Sequence, residues 1–99
     1  MRKIQKEVVD WHQETFPVAT LKAITDKMEE ELVETLDEVR NGTDKNALAA
    51  ELSDVVIVAC SLLERLGIDF ESAIRNKLET NKKRTWGPEN SEGDRPRVK

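Results

Sequence analysis

Two acidic clusters on neighbouring predicted helices hold the residues of this chain whose types and spacing could do chemistry. The first contains Glu30, Glu31 and Glu34, and the second contains Glu51 and Asp54. Residues three or four apart on a helix share a face, so each cluster projects its carboxylates in one direction. Gathered carboxylates repel one another unless a cation lies among them, and hard oxygen ligands suit Mg²⁺ or Mn²⁺. The spacing therefore predicts a divalent-metal site where the two helices meet.

A solvated acidic surface is the alternative interpretation of these clusters. Charge patterning alone favours it, because 36% of the residues are charged and acidic residues on helices mostly face water. Two features favour a metal site. Lys27 is the nearest lysine at ion-pair spacing to the first cluster and offsets only part of its charge. The second cluster begins a strongly apolar helix, where solvating charge is less expected.

The elements that must position these carboxylates are four helices, predicted over residues 2–15, 21–40, 45–66 and 70–84. Residues typical of helix starts and ends lie at the predicted boundaries: Thr20, Thr43 or Asp44, and Asp69 at starts, and Phe16-Pro17, Asn41-Gly42 and Gly67 at ends. A buried strand over residues 55–58 is the alternative there, but no turn residue follows until Gly67. The predicted fold class is all-α.

The apolar residues of these helices predict how they pack. On the second helix one stripe is expected to be buried, formed by Leu21, Ile24, Met28, Leu32, Leu36 and Val39. The third helix is apolar on more than one face and needs partners on two sides. In a chain of 99 residues, one of those partners could be another subunit.

Length and composition limit the class of protein. Ninety-nine residues predict one small domain, and a net charge of −4 gives no electrostatic basis for binding nucleic acid. The single cysteine, Cys60, is expected to be a buried small apolar residue, which fits a reducing compartment. No apolar run reaches about 18 residues, so no membrane partner is expected. The N-terminus lacks the apolar block of a signal peptide, and we expect a cytoplasmic protein.

Candidate substrate-binding residues lie outside the acidic clusters. Trp11 is either a core residue or a ring that stacks on a ligand, and the neighbouring His12 is expected at the surface. Lys77, Asn81 and Arg84 share one face of the last helix, where they could hold phosphate oxygens and a sugar or base. A solvated basic face at the end of that helix is the alternative.

These motifs together resemble one known family. The segment Glu30-Glu31-Leu32-Val33-Glu34 resembles the EExxE element of the MazG-like nucleoside triphosphate pyrophosphohydrolases, and Glu51-Leu52-Ser53-Asp54 resembles their ExxD element. Lys77, Asn81 and Arg84 are similar to the basic stretch that follows in that family. The resemblance covers about residues 5–86. A register that begins at Glu29 would need an acid at position 33, which is a valine.

The resemblance implies a four-helix bundle-like MazG fold completed by oligomerisation, as a homodimer or homotetramer, in a domain of residues 1–86. The end of the chain is poor in apolar residues and contains glycine and proline, so residues 87–99 are expected to form a flexible tail. The resemblance also implies Mg²⁺-dependent cleavage, with Mn²⁺ as a possible substitute, of an NTP or dNTP to the monophosphate and pyrophosphate.

The implied catalytic residues are Glu30, Glu31, Glu34, Glu51 and Asp54, and the metal ligands among them are Glu30, Glu31, Glu34 and Asp54. The implied substrate-binding residues are Lys77, Asn81 and Arg84, and Trp11 is added to them as the candidate stacking ring.

Two other functions remain open from the residues alone. One is a non-catalytic helical module that oligomerises through its apolar third helix, with the acidic residues solvating it. The other is a related hydrolase that acts on a phosphoribosyl-ATP-type compound.

Overall fold

The computed structural model describes residues 2–96 and 98, and this part of the chain contains helices and no strand. The elements are α1 (Arg2–Thr15), α2 (Leu21–Arg40), α3 (Lys45–Arg65) and α4 (Phe70–Lys83). The predicted all-α class is therefore confirmed. The alternative of a strand over residues 55–58 is wrong, because these residues lie inside α3.

Short polar side chains fix where the helices begin. The Thr20 hydroxyl accepts a hydrogen bond from the Ala23 backbone N–H at 3.1 Å. The Asp44 carboxylate accepts from the Asn46 N–H at 2.9 Å, and the Asp69 carboxylate accepts from the Ser72 N–H at 3.0 Å. Each cap satisfies a backbone donor that has no partner within its helix. Since α2 ends only a few residues before Asp44 starts α3, the two helices are forced into a hairpin.

The α2–α3 hairpin is the main packing unit, and the other two helices are added to α3. Helix α1 packs along α3, and α4 packs against α1 and α3. In the described part of the chain, α2 packs against neither α1 nor α4. Among the described residues the buried apolar core is small and consists of Val9, Ile24, Val58, Cys60 and Phe70. The expected burial of Cys60 is confirmed.

The apolar stripe predicted to be buried on α2 is largely exposed, and that prediction is wrong for the single chain. Ile24 is buried, but Leu32, Leu36 and Val39 are 47–52% exposed. The reason is the rotation of α2 about its axis: Ile24 and the acidic Glu31 are its buried residues, so the rest of the stripe lies beside the contact with α3.

Helix α3 also leaves apolar surface uncovered, with Leu52 and Val56 each about half exposed. Helix α3 has 21 residues, and a stretch of 18 residues within it has a mean hydropathy of 1.7, so α3 is long and apolar enough to cross a membrane by length and composition alone. Core helices of soluble proteins meet the same criterion, and one such helix is weak support for a membrane protein. The expectation that no helix spans a membrane rested on the length of uninterrupted apolar runs, and it stays a prediction.

The segment after α4 folds back on itself. The Trp86 indole N–H donates to the Asn81 carbonyl at 3.1 Å, and the Gly87 N–H donates to the Pro96 carbonyl at 2.6 Å. A Cβ atom on Gly87 would lie 2.7 Å from the Pro96 ring, so this close approach requires glycine. Of the predicted domain and tail, residues 1, 97 and 99 lie outside the described residues.

A buried hydrogen bond ties the start of α4 to α1, and it predicts a measurable loss of stability. The Gln5 side-chain oxygen accepts from the Phe70 backbone N–H at 3.0 Å, and Gln5 is buried. Replacing Gln5 with Ala leaves that donor without a partner, which should lower the free energy of unfolding by about 1–2 kcal/mol. Urea denaturation measures the change. Gln13→Ala, at an exposed position of the same helix, is the matched control, and equal effects of both variants would contradict the assigned role.

Candidate metal centre and adjoining cavity

The α2–α3 hairpin brings three acidic side chains from the two predicted clusters together. Glu31 projects from α2, and Glu51 and Asp54 project from successive turns of α3. One carboxylate oxygen of each residue lies within 4.8 Å of the other two. The short connection between the helices is responsible, because it returns α3 along α2 and sets the two acidic motifs face to face.

Two of these carboxylates carry oxygens that no donor satisfies. Glu31 is only 6% exposed. Its Oε2 atom and the Oε2 atom of Glu51 are buried, and neither has a hydrogen-bond partner among the described residues. A buried acceptor without a donor costs roughly 1–3 kcal/mol, and more when it is charged. Unpaired oxygen atoms on converging carboxylates are the donor set that Mg²⁺ and Mn²⁺ prefer, so the residues present fit a divalent cation.

The electrostatics of Glu31 agree with this fit. Burial raises the pKa of Glu31 above its usual value, and hydrogen bonding and charge from Glu34 and the charge of Asp54 raise that pKa further. Lys27 opposes these effects, since its ammonium lies 3.4 Å from Glu31 Oε1. The same ammonium lies 3.3 Å from Glu30 Oε2 and is thus shared between two glutamates. One exposed lysine leaves most of the clustered negative charge unbalanced.

The remaining acidic residues of the first motif lie at the edge of this group. The Glu30 side chain is 65% exposed and pairs with Lys27. Glu34 lies near enough to Glu31 to raise its pKa, and together with Glu30 it lines a shallow surface depression that also includes Glu29. The predicted metal ligands are thus arranged in two tiers, with Glu31 and Asp54 at the centre and Glu30 and Glu34 beside them. Glu51, which the resemblance implies as a catalytic residue, lies in the central tier.

A cavity of about 380 Å³ adjoins the acidic group. Glu31, Asp54 and Lys27 form its polar end, and the rest of its lining is apolar or aromatic. The aliphatic wall consists of Ala19, Ala23, Ile24, Ile57 and Val58. A molecule held by the carboxylate end through a cation would therefore have its other end against apolar surface.

Three rings form the aromatic wall of this cavity. Trp11 lies 6.0 Å from Phe16 between ring centroids, and His12 lies 5.0 Å from Phe16. Trp11 is 53% exposed, so the interpretation of Trp11 as a core residue is wrong, and the ring is available for stacking. The expectation of a surface His12 is also wrong, because the ring is only 9% exposed. Burial and, to a lesser degree, the nearby charge of Arg65 lower the pKa of His12 and favour its neutral form.

Phe16 and His12 are the site residues that sequence reasoning missed. Phe16 precedes Pro17 and was identified only as the end of a helix, and His12 has no partner at metal-ligand spacing. Their place in the cavity depends on how α1 packs on α3, which local sequence patterns do not encode. The available signal was the clustering of Trp11, His12 and Phe16 within about one and a half helical turns.

The predicted basic residues of α4 lie apart from this group. The Arg84 guanidinium donates to the Asn81 side-chain oxygen at 3.2 Å, so these two side chains contact each other. Lys77 is exposed. Because α4 does not pack against α2 within the described chain, no helix contact brings these residues to Glu31. Their assignment to substrate stays a prediction.

Comparisons with known proteins agree with this geometry. The chain is 34% identical over 83 residues to a dATP/dGTP diphosphohydrolase of Salmonella phage PMBT28, covering 84% of this chain and 27% of that protein. It is 31% identical over 84 residues to a dATP/dGTP diphosphohydrolase of Cyanophage S-2L, covering 85% of this chain and 75% of that protein. The chain thus spans about a quarter of the length of the first relative.

A solved structure matches the whole arrangement of helices. The Cyanophage S-2L MazG-like pyrophosphohydrolase, bound to dGDP and three catalytic Mn²⁺ ions per active site, superposes with a TM-score of 0.75 at 28% identity. The match covers 99% of this chain and 96% of that one. The MazG-like family model itself matches residues 18–94, which include both acidic motifs. With most of its length matched, and with relatives above 30% identity, this chain belongs to the MazG-like family.

Proposed function

We propose that this chain is a divalent-metal-dependent pyrophosphohydrolase that cleaves a deoxynucleoside triphosphate to the monophosphate and pyrophosphate. One observation carries the proposal: the buried, unpaired oxygens of Glu31 and Glu51 lie beside Asp54 at the polar end of a cavity with an aromatic wall. Cations balance the negative charges of a bound triphosphate, and a nucleobase binds by stacking on a flat apolar surface. The names of the phage relatives and the dGDP and Mn²⁺ of the cyanophage structure support the same substrate class.

Glu31, Glu51 and Asp54 are the residues that would hold the metal, with Glu34 and Glu30 extending the ligand set along α2. When bound, a divalent cation supplies Lewis-acid chemistry, since it polarises phosphoryl oxygens and lowers the pKa of a bound water. We propose Mg²⁺ as the physiological ion, with Mn²⁺ as a substitute of the same oxygen preference.

Glu34 is the carboxylate best suited to accept a proton from the attacking water. It lies on the same face of α2 as Glu31 but is not part of the three-residue group, so one of its two carboxylate oxygens stays available when the other extends the ligand set. A positioned carboxylate in this role typically contributes about a hundredfold or more to the rate. Lys27 adds a positive charge at the same end of the cavity, where it can interact with phosphate oxygens in place of a glutamate.

The cavity would receive the base. Trp11 offers an exposed ring for stacking, while Ile24, Ile57 and Val58 exclude water from the opposite side. We propose a purine, because dATP and dGTP are the nucleotides in the names of both phage relatives. A neutral His12 adds a flat surface without a charge that would repel or attract the phosphates.

We further propose that the active form is a homo-oligomer. A groove of about 470 Å³ between α1, α3 and the start of α4 is lined by apolar residues such as Ile4, Val8, Leu52, Val56 and Phe70. Exposed apolar surface of this kind is typical of an interface between subunits. We propose that Lys77 and Arg84 of α4 act at the acidic group of a neighbouring copy in such an assembly.

Replacing Glu31 with Gln should stabilise the metal-free protein. The raised native pKa means that the folded state binds more protons than the unfolded state between the usual carboxyl value and the raised one. Stability of the unsubstituted chain therefore falls as pH rises through that window. At pH 7.5 we expect the variant to melt about 4 °C higher, with the difference disappearing as pH approaches the usual carboxyl pKa.

Added Mg²⁺ should stabilise the unsubstituted chain and not the Glu31→Gln variant. Scanning calorimetry across pH provides the measurement, and an equal response of both proteins to Mg²⁺ would argue against a metal site at Glu31.

Replacing Asp54 with Asn, or Glu51 with Gln, should lower hydrolysis of dGTP by about a hundredfold or more, because each change removes a charged oxygen from the centre of the group. Pyrophosphate release in the presence of Mg²⁺ measures the rate with a panel of dNTPs, NTPs and phosphoribosyl-ATP. Glu29→Gln is the matched control, since Glu29 is exposed on α2 and no part of the three-residue group. Full activity of Asp54→Asn would reject the proposed chemistry, and loss of activity in Glu29→Gln would favour the other register of the motif.

Replacing Val56 with Glu should weaken assembly. Val56 is 48% exposed in the single chain and lies in the apolar groove, so a buried charge at a subunit interface there would be unfavourable. Sedimentation velocity should show a lower mass than for the unsubstituted chain at the same concentration. Ser91→Glu is the matched control, because it adds the same charge at an exposed position outside the helices and should leave the mass unchanged. An unsubstituted chain that sediments as a monomer would exclude the oligomer altogether.

A further inference from the structure

The turn between α1 and α2 is tied to the end of α3 by a single side chain, Arg65. Its Nη1 atom donates to the Ala19 carbonyl at 2.6 Å, and its Nη2 atom donates to the Phe16 carbonyl at 3.3 Å. Arginine near the end of a helix usually interacts with the carbonyls of its own last turn. Arg65 instead spans two carbonyls that lie more than 40 residues earlier in the chain.

Apart from Arg65 and the ring contacts of Phe16 with Trp11 and His12, few described contacts hold this turn in place. Within it, the Ala19 N–H donates to the Phe16 carbonyl at 3.2 Å, while Pro17 has no N–H to donate. Val18 is 89% exposed and contributes almost no packing. Helices α1 and α2, which the turn connects, do not pack against each other in the described chain. The position of the turn relative to α3 therefore depends strongly on Arg65.

This turn is also part of the cavity beside the acidic group. Phe16 and Ala19, whose carbonyls Arg65 binds, both line the cavity, and so do Ile57 and Val58 of α3. Arg65 itself is not among the lining residues. A guanidinium behind the wall thus connects the aromatic side of the cavity to the helix that carries its aliphatic side and Asp54.

We propose that Arg65 is a positioning residue that fixes the aromatic wall of the base pocket at the distance a nucleobase requires. The inference rests on the proposed nucleotide hydrolysis and adds the element that sets the width of the pocket. The planar fork of arginine can bind two carbonyls at once, which a lysine ammonium on a flexible stem does less well. Holding the wall in place before the substrate arrives avoids the cost of ordering it during binding.

The test separates binding of the base from binding of the phosphates. The probes are dGTP, as substrate, and inorganic tripolyphosphate, which has phosphates but no base, as competitive inhibitor, both with Mg²⁺. For Arg65→Met we expect the KM for dGTP to rise by about tenfold, roughly the effect of leaving one or two side chains to be ordered on binding. The kcat and the Ki of tripolyphosphate should stay within about twofold, because the acidic group is untouched.

Four further variants make the test specific. Arg65→Lys should give an intermediate KM, and Phe16→Ala should raise KM without removing the guanidinium. Combining Arg65→Met with Phe16→Ala should raise KM little beyond Phe16→Ala alone, because both changes remove the same wall. Arg75→Met is the matched control, since Arg75 is an exposed arginine on α4 that pairs with Glu71.

The possible failures are distinguishable. An unsubstituted chain without metal-dependent hydrolysis would overturn both proposals. An active chain in which Arg65→Met leaves the dGTP KM unchanged, or raises the KM and the tripolyphosphate Ki in parallel, would overturn only the role of Arg65. A selective rise in KM, shared with Phe16→Ala and absent from Arg75→Met, would support it.

Discussion

The convergence of carboxylates between α2 and α3 is the constraint on which the rest of this structure depends. A hairpin of two helices usually buries apolar side chains along its seam, but here Glu31 is buried at that seam beside Glu51 and Asp54. Two of their oxygens have no donor, and Lys27 compensates for only part of the charge. The interface therefore carries an electrostatic cost that a divalent cation would remove, which links the stability of the hairpin to the chemistry of its site.

The same constraint accounts for the distribution of apolar surface. Because Glu31 occupies the contact with α3, residues such as Leu32 and Leu36 are displaced to the side of the hairpin and remain about half exposed. Helix α3 likewise leaves Leu52 and Val56 uncovered. The described part of this 99-residue chain has five buried apolar side chains, which is a small core, so burying these surfaces in an assembly would add to its stability.

The features that local sequence encodes were predicted well. Helix type and helix boundaries followed from apolar spacing and from caps such as Thr20 and Asp69, whose hydrogen bonds reach no further than three residues. The family followed from the two acidic motifs. What the sequence left undetermined depends on packing over long distances. The rotation of α2 decides which glutamate of the motif faces α3, and the docking of α1 brings His12 and Phe16 to the cavity. The spacing of apolar residues within one helix predicts neither the rotation of α2 nor the docking of α1.

The site therefore has two halves that are supported by different interactions. The carboxylate half is built from the α2–α3 hairpin, whose geometry is set by a short connection and by the burial of Ile24 and Val58. The aromatic half is built from the end of α1 and the following turn, which reach the hairpin through the packing of α1 on α3 and through Arg65. Charge and shape are thus supported separately, so under the proposed function substitutions in the turn would change which base fits without altering the carboxylates at the metal site.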